Sequence, residues 1–123
     1  MITCPICEAH KIGKDIIAQT EHWILRKAPE DKNLNGYCYL ESKKHVENWQ
    51  LLSLEECQDF GNILHKGLEA SLVLPSSPDK VYFAAIAEAV PHLHMHLVPR
   101  YQNHSKGIGH LEQALGPGFL KAL

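Results

Sequence analysis

Three histidines alternate with apolar residues in the run His92-Leu93-His94-Met95-His96-Leu97-Val98. Successive side chains of a β-strand point to opposite faces, so this spacing predicts three imidazoles on one face and Leu93, Met95 and Leu97 on the other. Imidazole titrates near neutrality, and such a row can supply a nucleophile, a proton carrier and a metal ligand. A surface cluster without function, or a metal site of alternating strand ligands, would use the same pattern. A second group with chemical capacity lies near the start, where Cys4-Pro5-Ile6-Cys7 has the spacing of a redox pair or of half a zinc site. His10 extends it and is, by sequence distance alone, the nearest candidate for a further ligand.

These groups need a frame to hold them. With 123 residues, 45% hydrophobic and 21% charged, the chain has the size and composition of one domain, residues 1–123, with its own core. A formal net charge of -2 gives no global attraction to nucleic acid, so an anionic ligand must be held by local groups, and a small charged metabolite fits better than a polymer. The first residues lack a basic segment followed by an apolar one, and no apolar run is long enough to cross a bilayer, which leads us to expect a cytoplasmic protein without a membrane partner. Four cysteines could form two disulfides, but the close pair and nine histidines favour metal or redox chemistry.

Residues 15–20 and 21–27 read as two strands of a hairpin, residues 28–36 as a turn-rich connection, and residues 37–42 as a third strand with His45 just beyond it. Ser53-Leu54-Glu55-Glu56 is a capping box that should start a helix. Leu54, Cys57, Phe60, Leu64, Leu68 and Leu72 follow at spacings of three and four, which predicts one apolar stripe ending near Pro75. Gly61 and Gly67 each cost roughly 1 kcal/mol relative to alanine in that helix, a cost that close packing against a sheet would explain. Residues 76–79 read as a turn, residues 80–87 as a strand, and the histidine strand as its antiparallel neighbour. Residues 101–123 have only a weak helical pattern at Leu111, Ala114 and Leu115 and suggest an arm. The layout is α+β.

The triad, followed by Leu97-Val98-Pro99-Arg100, resembles the signature of the histidine triad (HIT) superfamily. Gly36-Tyr37-Cys38-Tyr39-Leu40 leading into Lys43-Lys44-His45-Val46 is similar to that family's glycine, strand, basic pair and histidine. The resemblance covers most of residues 1–100, the family core, and leaves residues 101–123 as a C-terminal arm. It implies an antiparallel sheet of about five strands with one long helix and an irregular tail. It further implies a nucleotide hydrolase in which His94 attacks the α-phosphorus of a nucleotide conjugate, such as a phosphoramidate or dinucleoside polyphosphate, and forms a nucleotidyl-histidine intermediate. His96 would then touch phosphate oxygens or pass a proton to the leaving group. Family members are usually homodimers whose C-terminal segment reaches toward the partner's site.

Zinc-bearing members of the superfamily use a cysteine pair, a histidine after the following strand, and the first histidine of the triad. By that resemblance Cys4, Cys7, His45 and His92 would hold a structural zinc, with His45 preferred to His10. His92 would then be withdrawn from catalysis. The chain departs from the family just upstream, where Ala87-Glu88-Ala89-Val90-Pro91 stands in place of Gly-Gln-Ser/Thr-Val. The hydroxyl is gone and Glu88 adds a negative charge, so backbone N–H groups of Glu88, Ala89 and Val90 are the expected substrate contacts beside His96. Arg100 and the Lys43-Lys44 pair are the nearest cations in sequence. A nucleotidyltransferase, or a catalytically weak zinc-stabilised module that binds nucleotides or a partner, would use much of the same apparatus.

Overall fold

The computed structural model describes residues 3–72 and 77–116. It places helix α1 at Pro5–Ile12, strands β1 at Ile16–Gln19, β2 at Trp23–Lys27 and β3 at Cys38–Ser42, helix α2 at Leu54–Ser71, strands β4 at Lys80–Ala84 and β5 at His94–Arg100, and helix α3 at Ile108–Leu115. The five strands form one antiparallel sheet in the order β1-β2-β3-β5-β4. Among the described residues no helix is long and apolar enough to cross a membrane.

Strand periodicity sorts the side chains into two layers. Trp23, Leu25, Cys38, Leu40, Met95 and Leu97 bury one face of the sheet against Ile63 of α2. The alternate positions, which include Arg26, Tyr39, Glu41, His94 and His96, belong to the other face. The register sets Tyr39 opposite His96 and Glu41 opposite His94. Helix α2 starts at the expected capping box, with Glu56 N–H donating to Ser53 Oγ at 3.1 Å and Ser53 N–H donating to the Glu56 carboxylate at 2.8 Å.

The stripe on α2 differs from the one read from leucine spacing. Leu54 and Leu72 are 67% and 61% exposed, Leu68 and Cys57 are also exposed, and the packed face instead carries Phe60, Ile63, Leu64, Gly67, Ala70 and Ser71. Small residues decide this orientation. A Cβ on Gly67 would collide with Leu97 Cδ1 and stand 3.2 Å from Leu40 Cδ1, so glycine lets the helix lie directly on the sheet. Gly61 has nothing within 4 Å, and its cost is not explained by packing within this chain. The helix ends at Ser71 rather than near Pro75, which lies outside the described residues together with Ser76 at the start of the expected turn.

Three further corrections bear on function. Strand β4 stops at Ala84, so residues 85–93 form an irregular connection, and β5 begins at His94, leaving His92 and Leu93 ahead of it. Helix α1 was not anticipated, although Pro5 at its first position and Gly13 in left-handed conformation (φ 72°) beyond its end are ordinary helix boundaries. The tail does not stand away as an arm as far as residue 115. Ala114 of α3 is buried with Ala28, Tyr37 and Val98, packed by Leu111 and Leu115. Among the described residues α2 is the one long helix expected, and the two short helices α1 and α3 are added to it. Residues 117–123 lie outside the described part.

Candidate active site and metal centre

Cys4 is the N-cap of α1, where its Sγ accepts from the Cys7 N–H at 3.3 Å, so the helix start itself brings the two sulfurs together. β3 and β5 are ladder partners, and the chain leaving one runs beside the chain entering the other, with Leu93 N–H donating to Val46 carbonyl at 2.8 Å. That contact carries His45 and His92 to the same point. The ligand atoms of Cys4, Cys7, His45 and His92 lie within 4.8 Å of one another. Cys4 Sγ is 3.4 Å from His92 Nδ1, Cys7 Sγ is 3.4 Å from His45 Nδ1 and 3.5 Å from His92 Nδ1, and the two Nδ1 atoms are 3.2 Å apart.

These separations are the edges of a metal-sized tetrahedron. Zinc bonds of about 2.3 Å to sulfur and 2.0–2.1 Å to nitrogen put sulfur roughly 3.5 Å from nitrogen, and nitrogen roughly 3.4 Å from nitrogen. His92 is completely buried and its Nε2–H donates to the Ser42 carbonyl at 2.7 Å; a carbonyl only accepts, so Nδ1 is left bare for a metal. Burial also lowers the His92 pKa and keeps the ring neutral. Burial and the adjacent Cys4 push the Cys7 thiol up to about 11, and a cation beside this sulfur would favour its thiolate. His10 has another partner, with Nε2 2.8 Å from Glu41 Oε1, and does not join the cluster.

Beside the cluster lies a cavity of about 330 Å³ that brings His94 and His96 together with Glu88, Ala89 and Val90. His94 Nδ1–H donates to the His92 carbonyl at 2.7 Å, which leaves Nε2 as the bare nitrogen. The rings of His94 and His96 are 5.1 Å apart. Burial, reinforced by His94 and Lys32, lowers the His96 pKa to about 4, and this ring too is neutral at pH 7. The N–H groups of Glu88, Ala89 and Val90 donate to no backbone carbonyl among the described residues, and all three residues face the cavity. Ala87 holds this loop in left-handed conformation at φ 58°, a strain of roughly 1 kcal/mol for a residue with a Cβ.

Sequence reasoning missed Tyr37, Tyr39, Arg26 and Glu41. Glu41 is 1% exposed and accepts from Arg26 Nε at 2.6 Å and Arg26 Nη2 at 2.9 Å, besides its contact with His10. Burial pushes its pKa up, but the hydrogen bonds from His10 and Arg26 outweigh this and hold the carboxyl below its usual range. Arg26, Tyr39 and Glu41 all line the cavity. A charge at alternate positions of strands that are otherwise apolar was the available signal. Tyr37 Oη lies 2.8 Å from His96 Nδ1. The cations singled out from sequence are elsewhere: Lys43 and Lys44 are exposed, and Arg100 is buried at the far end of β5.

No protein-family model matches the chain, and no curated protein does. Solved structures do. A HIT family protein from Bacillus anthracis superposes with a TM-score of 0.69 at 17% identity, over 98% of this chain and 95% of that one. A member of the HIT family from Bacillus subtilis gives 0.67 at 20% identity, over 99% and 98%. A zinc-bound histidine triad family protein from Mycobacterium smegmatis gives 0.67 at 15% identity, over 98% and 96%. With its antiparallel five-stranded sheet, its crossing helix and its histidines entering β5, this chain has the fold of the histidine triad proteins.

Proposed function

We propose that the protein is a HIT-type nucleotide hydrolase that cleaves nucleotide conjugates at the α-phosphate through a covalent intermediate on His94. The observation that carries this reading is the bond from His94 Nδ1–H to the His92 carbonyl, which aims Nε2 into a cavity beside the neutral imidazole of His96. The Nε2 lone pair attacks phosphorus, the bond to the leaving group breaks, and the leaving group departs with the electron pair and takes up a proton. The resulting nucleotidyl-imidazolium keeps its Nδ1–H on the carbonyl dipole, which stabilises the positive ring. Water then attacks phosphorus and loses a proton to solvent, the P–N bond electrons return to Nε2, and a nucleoside monophosphate is released. His96 supports both steps at the phosphate oxygens or the leaving group, and the N–H groups of Glu88, Ala89 and Val90 bind the phosphoryl oxygens.

Cys4, Cys7, His45 and His92 would hold zinc. The spacing and chemistry of the donors support this, as does the zinc-bound relative in fold. With four protein ligands such a zinc is closed to substrate and supplies a cross-link between α1 and the entry to β5. The active form is a cytoplasmic homodimer. Leu54, Leu68 and Leu72 support a second copy, since they leave an apolar side of α2 uncovered in a single chain.

The test is mass spectrometry of purified protein after brief exposure to a panel of nucleotide phosphoramidates and dinucleoside polyphosphates, with an alkaline quench that preserves P–N bonds. We expect a nucleotidyl adduct on His94 and release of nucleoside monophosphate, both lost in His94→Ala. Equal release by parent and variant would sink the covalent mechanism. Transfer of the nucleotide to an added acceptor phosphate would make the protein a nucleotidyltransferase.

A further inference from the structure

Two imidazoles in one cavity are most useful when one offers a lone pair and the other a proton. The His94 tautomer is fixed by a carbonyl. His96 has no carbonyl at its Nδ1; it has the hydroxyl of Tyr37 at 2.8 Å. A hydroxyl can donate or accept, so this contact decides what His96 presents to the cavity.

The chemistry of the pair gives the direction. Burial holds the Tyr37 phenol well above its ordinary pKa and keeps it protonated; an O–H of this kind is still a better hydrogen-bond donor than the N–H of neutral imidazole, and the bare imidazole nitrogen is the better acceptor. The bond is therefore strongest with Tyr37 O–H donating to Nδ1, and in a dry site that preference is not diluted by water. Tyr37 is 2% exposed, anchored by its N–H to the Leu34 carbonyl at 3.2 Å and by its carbonyl to the Ala28 N–H at 3.1 Å. Tyr39 packs edge-on against both rings, 5.3 Å from each. The phenol is thus held on backbone and packing contacts independent of His96.

We infer that Tyr37 is a positioning residue that fixes the proton of His96 on Nε2, so that the cavity pairs a bare nitrogen on His94 with an N–H donor on His96. The tautomer stands on its own, and its use in turnover rests on the hydrolase reading above. In that reaction the His96 N–H donates a hydrogen bond to the charge that grows on a phosphoryl or leaving-group oxygen, and the proton that the leaving group finally takes up comes from water.

The experiment is 15N NMR of histidine-labelled protein, using two-bond couplings to assign the tautomer of each ring, with His96→Gln to identify its signals. The parent should show His96 protonated at Nε2 and bare at Nδ1. Tyr37→Phe, which removes only the oxygen, should give a mixture of tautomers and lower kcat by about ten-fold while KM stays within about two-fold. An Nδ1–H tautomer in the parent would overturn the inference, as would an unaltered tautomer in Tyr37→Phe. A shifted tautomer with unchanged kcat would remove its role in catalysis. The expected spectra in a protein that turns over no nucleotide conjugate would count against the hydrolase reading and leave the positioning by Tyr37 intact.

Discussion

Glu41 and His94 are cross-strand partners on the face of the sheet that forms the cavity, and the Glu41 carboxylate ties Arg26 of β2 and His10 of α1 to that point. Helix α1 also carries Cys7 and, through Pro5 and Ile6, one wall of the cavity. A single buried anion thus joins the helix of the metal centre to the strand of the proposed nucleophile.

Removing that anion should be costly. Glu41→Ala leaves the guanidinium of Arg26, with a side chain only 12% exposed, without its bidentate partner and frees His10 from the sheet. We expect a loss of about 3–5 kcal/mol in urea unfolding, the range for a buried pair broken on one side. A loss below about 1 kcal/mol would mean that Arg26 finds water without difficulty.

Stability should fall in mild acid through His96. Its folded pKa is about 4, below the ordinary value of 6.5, so between these values the unfolded chain binds the proton that the folded chain refuses. The contribution is fully present above pH 6.5 and is lost as pH falls toward 4, up to roughly 3 kcal/mol in all. Denaturant titrations at intervals across this window should show the decline. His96→Gln should flatten it, and an equally steep decline in the variant would assign the effect to other groups.

Metal removal tests the cluster directly. Purified protein should carry one zinc per chain, and Cys4→Ser with Cys7→Ser should abolish it. Chelation should lower Tm by on the order of 10 °C, because the ion would tie α1 to the segment ahead of β5. Stoichiometric zinc in the double variant would place the ion elsewhere.

The legible parts of this chain were those in which chemistry is local in sequence. The triad spacing, the cysteine pair and the Ser53–Glu56 capping box each specify their geometry within a few residues. His10 and His45 could not be separated by spacing, because the choice depends on β3 pairing with β5 and on Glu41 capturing His10, both long-range events. The network of Arg26, Tyr39 and Glu41 was hidden for the same reason: β2 and β3 must pair before those side chains share a wall. The packed side of α2 was misread because hydrophobicity ranks leucine above glycine, whereas contact with a sheet is limited by distance of approach.

Two neighbouring residues of α2 turn that lesson into opposite expectations. Gly67 faces the sheet, and an alanine there gains up to about 1 kcal/mol of helix propensity but must displace Leu97 and Leu40, both fully buried. Overpacking of this kind costs about 1–3 kcal/mol, so Gly67→Ala should be destabilised overall, read as a lower urea midpoint. Leu68 faces away and is 40% exposed, so Leu68→Glu should leave the fold of a single chain intact. In the proposed homodimer that charge would enter an apolar contact, and light scattering should report half the parent's mass. A parent that is already monomeric, or a Leu68→Glu variant that stays dimeric, would remove this side of α2 from the interface.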